Sequence, residues 1–191
     1  MEEYISPDES LRIISSMIEK TKRDISNKSQ YFLIWGWGTF LACIGQFILK
    51  VIFLYPYHYR VWWVIVPCFL LSTFTAFRNK RTQRVKTYVG ETMSEFWMAL
   101  GITFFVMIFI FTKLGWENCY PFYIMLYGFG TFMSGRILKF RPLILGGVIC
   151  WILAIVCVLV KYDYQILCTA AALLVSYIIP GHMLQKKFVK E

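Results

Sequence analysis

The sequence predicts an all-α fold: a polytopic membrane helix bundle of six transmembrane helices, preceded by a cytoplasmic amphipathic helix. Three observations predict it. Of the 191 residues, 58% are hydrophobic and only 16% are charged, against about 25% charged in a soluble domain. The apolar residues gather into six blocks, none of which contains Asp, Glu, Lys, Arg or His. Each block is also long enough to cross a hydrocarbon core of ~30 Å, which takes about 17 to 25 residues of helix. Together the blocks take more than half the chain and leave no room for a separate soluble domain.

The first element is expected over residues 1–30. Ser6 can cap a helix, Pro7 suits the first helical position, and Glu9 completes a Ser-x-x-Glu capping box. Leu11, Ile14, Ile18 and Ile25 then recur at helical spacing, with Lys20, Arg23 and Asp24 off that stripe. Such a helix can lie on the inner leaflet, pack under the bundle or bind a partner. The segment lacks the apolar stretch and cleavage site of a secretory signal, so the first span is expected to act as a retained signal-anchor. Glu2 in place of glycine removes a myristoylation pattern.

The spans are expected at 31–49, 61–77, 96–112, 119–135, 143–160 and 164–181, followed by a basic cytoplasmic tail at 182–191. Their orientation follows from the basic residues, which accumulate in cytoplasmic loops. The N-terminal segment, the loop RNKRTQRVK after the second span, the segment with Arg136, Lys139 and Arg141 after the fourth, and the tail hold sixteen of the 20 Lys and Arg residues. Only Lys50, Arg60, Lys113 and Lys161 fall on the other side. Both termini are therefore expected in the cytoplasm. Trp and Tyr favour the headgroup level, and Tyr55, Tyr57, Trp62, Trp63, Trp116 and Tyr162 fall where the outer interface is expected.

Catalytic and metal chemistry have little to work with. Five of the six cysteines lie inside apolar spans and no CxxC occurs, which reads as reduced packing thiols. His58 and His182 are far apart in sequence, so no metal or other cofactor is expected. Glu91 and Glu95 share a helix face at i, i+4 and could act as an acid–base pair or bind a divalent cation, but carboxylates near a helix N-terminus are favourable in themselves. No intramembrane carboxylate, histidine or basic residue is present to couple transport to an ion.

Two patterns remain as candidate sites. Gly36, Gly38, Thr39 and Phe40 recur as Gly128, Gly130, Thr131 and Phe132. Because spans one and four run in opposite directions, this match suits an inverted repeat of two three-helix halves around a cavity. It equally suits small-x-x-x-small packing faces, Gly38 with Ala42 and Gly130 with Ser134. The second pattern is RILKFRP, in which Arg136, Lys139 and Arg141 flank Phe140 at the inner interface. Three cations beside an anchoring ring can hold an anionic lipid headgroup or a phosphorylated ligand, or can simply mark positive-inside topology.

The segments MIEKTKRDISNKSQYFLIWGWG, KTYVGETMSEFWMALGI and RILKFRPLILGG resemble a family of small uncharacterised bacterial multispanning membrane proteins with a charged N-terminal helix. The resemblance covers most of the chain. It implies a bacterial inner (cytoplasmic) membrane location and a regulatory or stress-linked role, for which a cytoplasmic regulatory protein is a candidate partner.

The expected function is that of a non-enzymatic integral membrane protein, a regulatory or interaction module. Its basic cytoplasmic face and N-terminal helix would engage anionic lipid, a second copy in a homo-oligomer, or that regulatory partner, with no direct contact to nucleic acid. The alternative is a small transporter or lipid-handling facilitator built from two inverted three-helix halves.

Overall fold

The computed structural model describes residues 29–82, 88–117 and 119–189, with side chains omitted at 79–82, 88–89 and 187–189. The amphipathic helix expected over residues 1–30 lies outside the described residues but for its last two, which already belong to the first span. The described residues form helices joined by short turns, with no strand among them. α1 runs Ser29–Ile52. A 3₁₀ turn, His58–Val64, leads into α2, Ile65–Thr82. α3 is Tyr88–Leu114, α4 Cys119–Ile137 and α5 Arg141–Leu159. α6, Tyr162–Leu173, continues through a π-turn, Leu174–Ile178, into α7, Ile179–Val189.

Among the described residues, five helical stretches are long and apolar enough to cross a membrane: Ser29–Ile52, His58–Arg78, Gly90–Leu114, Arg141–Leu159 and Tyr162–Lys186. The fourth expected span, α4, is not one of them. Its 19 residues suffice in length, but Tyr120, Tyr123, Tyr127, Pro121 and three glycines dilute its hydropathy. The cause is its position. α4 packs most extensively on α5, and also on α6 and α3, and it buries Cys119, Tyr120, Ile124, Gly128, Gly130, Thr131 and Ser134. A helix covered by other helices is not required to be as lipophilic as one bathed in lipid.

α2 and α3 show the opposite. None of the most apolar part of His58–Arg78 is buried and only 11% of that of Gly90–Leu114, against 39%, 33% and 56% for the stretches beginning at Ser29, Arg141 and Tyr162. The core therefore sits among α1, α4, α5, α6 and α7, where Ile124, Leu143, Ile166, Leu173 and Leu184 are fully buried. Phe32, Trp97, Tyr127 and Tyr177 add edge-to-face ring contacts at 5.5 to 6.2 Å, an arrangement that the ring quadrupole favours. All six cysteines are free thiols.

Two boundaries differ from the sequence expectation. α3 begins at Tyr88 rather than 96, because a helix does not have to stop where its apolar run stops. The last helix was expected to end near 181, yet it passes through Pro180 and makes residues 182–189 helical rather than a free tail. Proline lacks an N–H and its ring collides with the carbonyl four residues back. The π-turn just before it, closed by Ile179 N–H to Leu174 O, widens the helix at that point and accommodates the ring.

Candidate functional site

The basic segment is built by the way α4 ends. The Phe140 N–H donates to Gly135 O at 2.9 Å and the Lys139 N–H to Arg136 O at 3.3 Å, the paired closure of a Schellman motif. That closure needs a left-handed residue, and Lys139 supplies it at φ 50. Phe140 is buried and caps α5, with Pro142 in the first turn after it. The hairpin is tight: a Cβ at Gly135 would lie 2.7 Å from Ile144 N. Arg136, Lys139 and Arg141 all remain exposed around this one turn.

The four repeated glycines do not share a cavity. A Cβ on Gly36 would lie 2.9 Å from Tyr177 Cβ, one on Gly38 would run into Cys68 Sγ, one on Gly128 would lie 2.9 Å from Cys150 Cβ, and one on Gly130 would lie 2.7 Å from Leu100 Cδ2. Each glycine thus admits a different neighbour: the α6–α7 helix, α2, α5 and α3 in turn. A shallow open groove of about 410 Å³ lies elsewhere, between α1 and α2, lined by Tyr31, Trp35, Phe69, Ser72, Thr73, Ala76 and Phe77. Its lining is almost wholly apolar. Ser72 Oγ is buried there with no hydrogen-bond partner among the described residues. Glu91 and Glu95 stand exposed on α3. Among the described residues, no three His, Cys, Asp or Glu side chains gather closely enough to hold a metal.

A second constellation, at the opposite end of the bundle, was not singled out by the sequence. Gln46 of α1 is only 2% exposed. Its Oε1 accepts from Trp62 Nε1 at 2.6 Å and from the Tyr120 hydroxyl at 2.8 Å. Its Nε2 faces His58 Nδ1 at 3.4 Å. The Tyr162 ring of α6 stands 5.5 Å from that of Tyr120, centroid to centroid, and lies 3.8 Å from Lys50 Nζ. Lys50 in turn pairs with Asp163 at 2.6 Å. One buried amide therefore ties α1 to the 3₁₀ turn and to α4, and Tyr162 with the Lys50–Asp163 pair brings α6 against them. The only sequence signal for it was a glutamine inside an apolar span, with a lysine one turn further on.

Comparison of the chain with protein families, curated proteins and solved structures finds no match in any of the three. The likeness to small bacterial multispanning proteins accordingly rests on the three sequence segments alone.

Proposed function

We propose that this chain is a non-enzymatic membrane module whose basic inner face holds an anionic lipid headgroup through Arg136, Lys139 and Arg141. One observation carries the reading: a lysine occupies the left-handed position of the α4–α5 turn, between two exposed arginines. A residue with a Cβ costs roughly 1–2 kcal/mol in that conformation, and glycine is the usual occupant. A charge kept at a site that disfavours its side chain points to a use for the charge. Guanidinium and ammonium donors suit phosphate oxygens, and the buried Phe140 anchors the turn that carries them. The groove between α1 and α2 supports the same reading, because it offers an apolar seat to a hydrocarbon chain in the membrane half where the charge count places the basic loops.

The transporter alternative draws no comparable support. At Gly36, Gly38, Gly128 and Gly130, where an inverted-repeat cavity was expected, neighbouring side chains fill the space.

The test is native mass spectrometry of the full chain taken from bilayers that mix phosphatidylglycerol with phosphatidylcholine. At about 1 kcal/mol per basic residue near an anionic surface, the triple variant R136Q/K139Q/R141Q should retain phosphatidylglycerol roughly a hundredfold more weakly. Equal retention by the variant and the native chain would overturn the proposal.

A further inference from the structure

The polar cluster at the other end of the bundle has a feature that lipid binding does not use. The carbonyl of Gln46 already accepts two hydrogen bonds, from Trp62 and Tyr120, which fills both of its lone pairs. An indole N–H only donates. Turning the amide over would set its NH₂ against the Trp62 N–H, so Trp62 fixes which way Gln46 points. The amide nitrogen then faces His58 Nδ1 at 3.4 Å. An amide NH₂ has nothing to accept with, so Nδ1 must be the bare acceptor nitrogen and the ring must be neutral, with its proton on Nε2.

Protonation reverses this. An imidazolium carries N–H on both nitrogens, and two donors would then confront each other across the same gap. Gln46 cannot rotate away without losing Trp62. The charged groups around His58 give the imidazolium little shelter: Lys50 on α1 opposes a second positive charge, and Asp163 on α6 is already engaged by Lys50 at 2.6 Å. Tyr59 meets the ring only edge-on, at 6.2 Å between centroids.

We infer that the Gln46–His58 contact is a proton-operated latch, which holds the first residues of the His58–Val64 turn against α1 while His58 is neutral and loosens them when the ring takes up a proton, Trp62 keeping its own bond to Gln46. The turn lies at the end that the charge count places outside the cell, so the latch reads the external medium. The sign is definite: the latch is closed at higher pH and opens as pH falls. Release moves the start of α2, the helix least buried against the rest of the bundle.

The experiment is hydrogen–deuterium exchange of the full chain in lipid nanodiscs at pH 7.5 and pH 5, corrected for intrinsic exchange rates. Peptides covering 55–64 should lose protection at pH 5, by roughly tenfold if one hydrogen bond is exchanged for a donor–donor contact. Peptides from α4 and α5 should not. His58→Asn places a non-titrating acceptor where Nδ1 stands, and it should keep the turn protected at both pH values. No pH response in the native chain overturns the inference without reference to any variant. A response of the same size in His58→Asn overturns it as well, since the proton would then act elsewhere.

Discussion

Lys139 sits at φ 50 at the end of α4, where a side chain crowds its own backbone and glycine would not. Replacing it with glycine should stabilise the bundle by about 1 kcal/mol, read as a higher thermal midpoint in detergent, while weakening retention of anionic lipid. Lys139→Ala should weaken retention without the gain in stability, because alanine keeps the Cβ. The same reasoning, run in reverse, separates the glycines. At Gly128 an added methyl would meet Gly147 O and Cys150 Cβ at 2.9 Å, and neither is the free end of a flexible chain. Gly128→Ala should therefore force α4 and α5 apart and cost about 1–3 kcal/mol in unfolding measurements. At Gly101 nothing lies within 4 Å, so Gly101→Ala in α3 should be neutral or stabilising by up to about 1 kcal/mol.

Between elements, the strongest single polar tie is Gln46, which joins α1 to the 3₁₀ turn and to α4. Gln46→Leu keeps the bulk but strands the Trp62 N–H and the Tyr120 hydroxyl. With each buried orphan costing about 1–3 kcal/mol, unfolding in detergent should show a loss of about 2 kcal/mol or more. This tie also marks where sequence reading stops. The expected spans at 119–135 and 143–160 lie within two residues of Cys119–Ile137 and Arg141–Leu159, because in a multispanning chain a charge-free run between charged or turn-forming residues marks the extent of a helix. The passage through Pro180 was hidden, since proline alone reads as a stop and the π-turn that tolerates it has no sequence signature. The basic turn was legible as three cations around Phe140, though the left-handed backbone at Lys139 was not. The Gln46 cluster was hidden for another reason: its members come from four separate segments, and only packing brings Gln46, His58, Trp62, Tyr120 and Tyr162 together. In sequence, Lys50 entered only the count of basic residues on the outer side.

For the whole molecule, the distribution of burial decides what surrounds it. Leu70 in α2 is 63% exposed and Ile102 in α3 is 60% exposed, and both sit near the middle of their apolar stretches, His58–Arg78 and Gly90–Leu114. In water, exposed residues of this kind would make long apolar faces of the sort that soluble monomers rarely carry. In a bilayer they are what lipid requires. The two environments predict opposite results for a charge placed there. On a soluble surface, Leu70→Lys or Ile102→Lys would change stability by no more than about 0.5 kcal/mol. At the centre of a spanning helix, a lysine raises the insertion cost by roughly 2.5–3.5 kcal/mol on biological insertion scales. Both variants should therefore show a sharply reduced membrane-inserted fraction in a glycosylation-mapped insertion assay of the full chain, whereas Lys113→Leu, near the end of α3, should insert as well as the native sequence or better. Undiminished insertion of Leu70→Lys would mean that the exposed face of α2 meets protein or water rather than lipid.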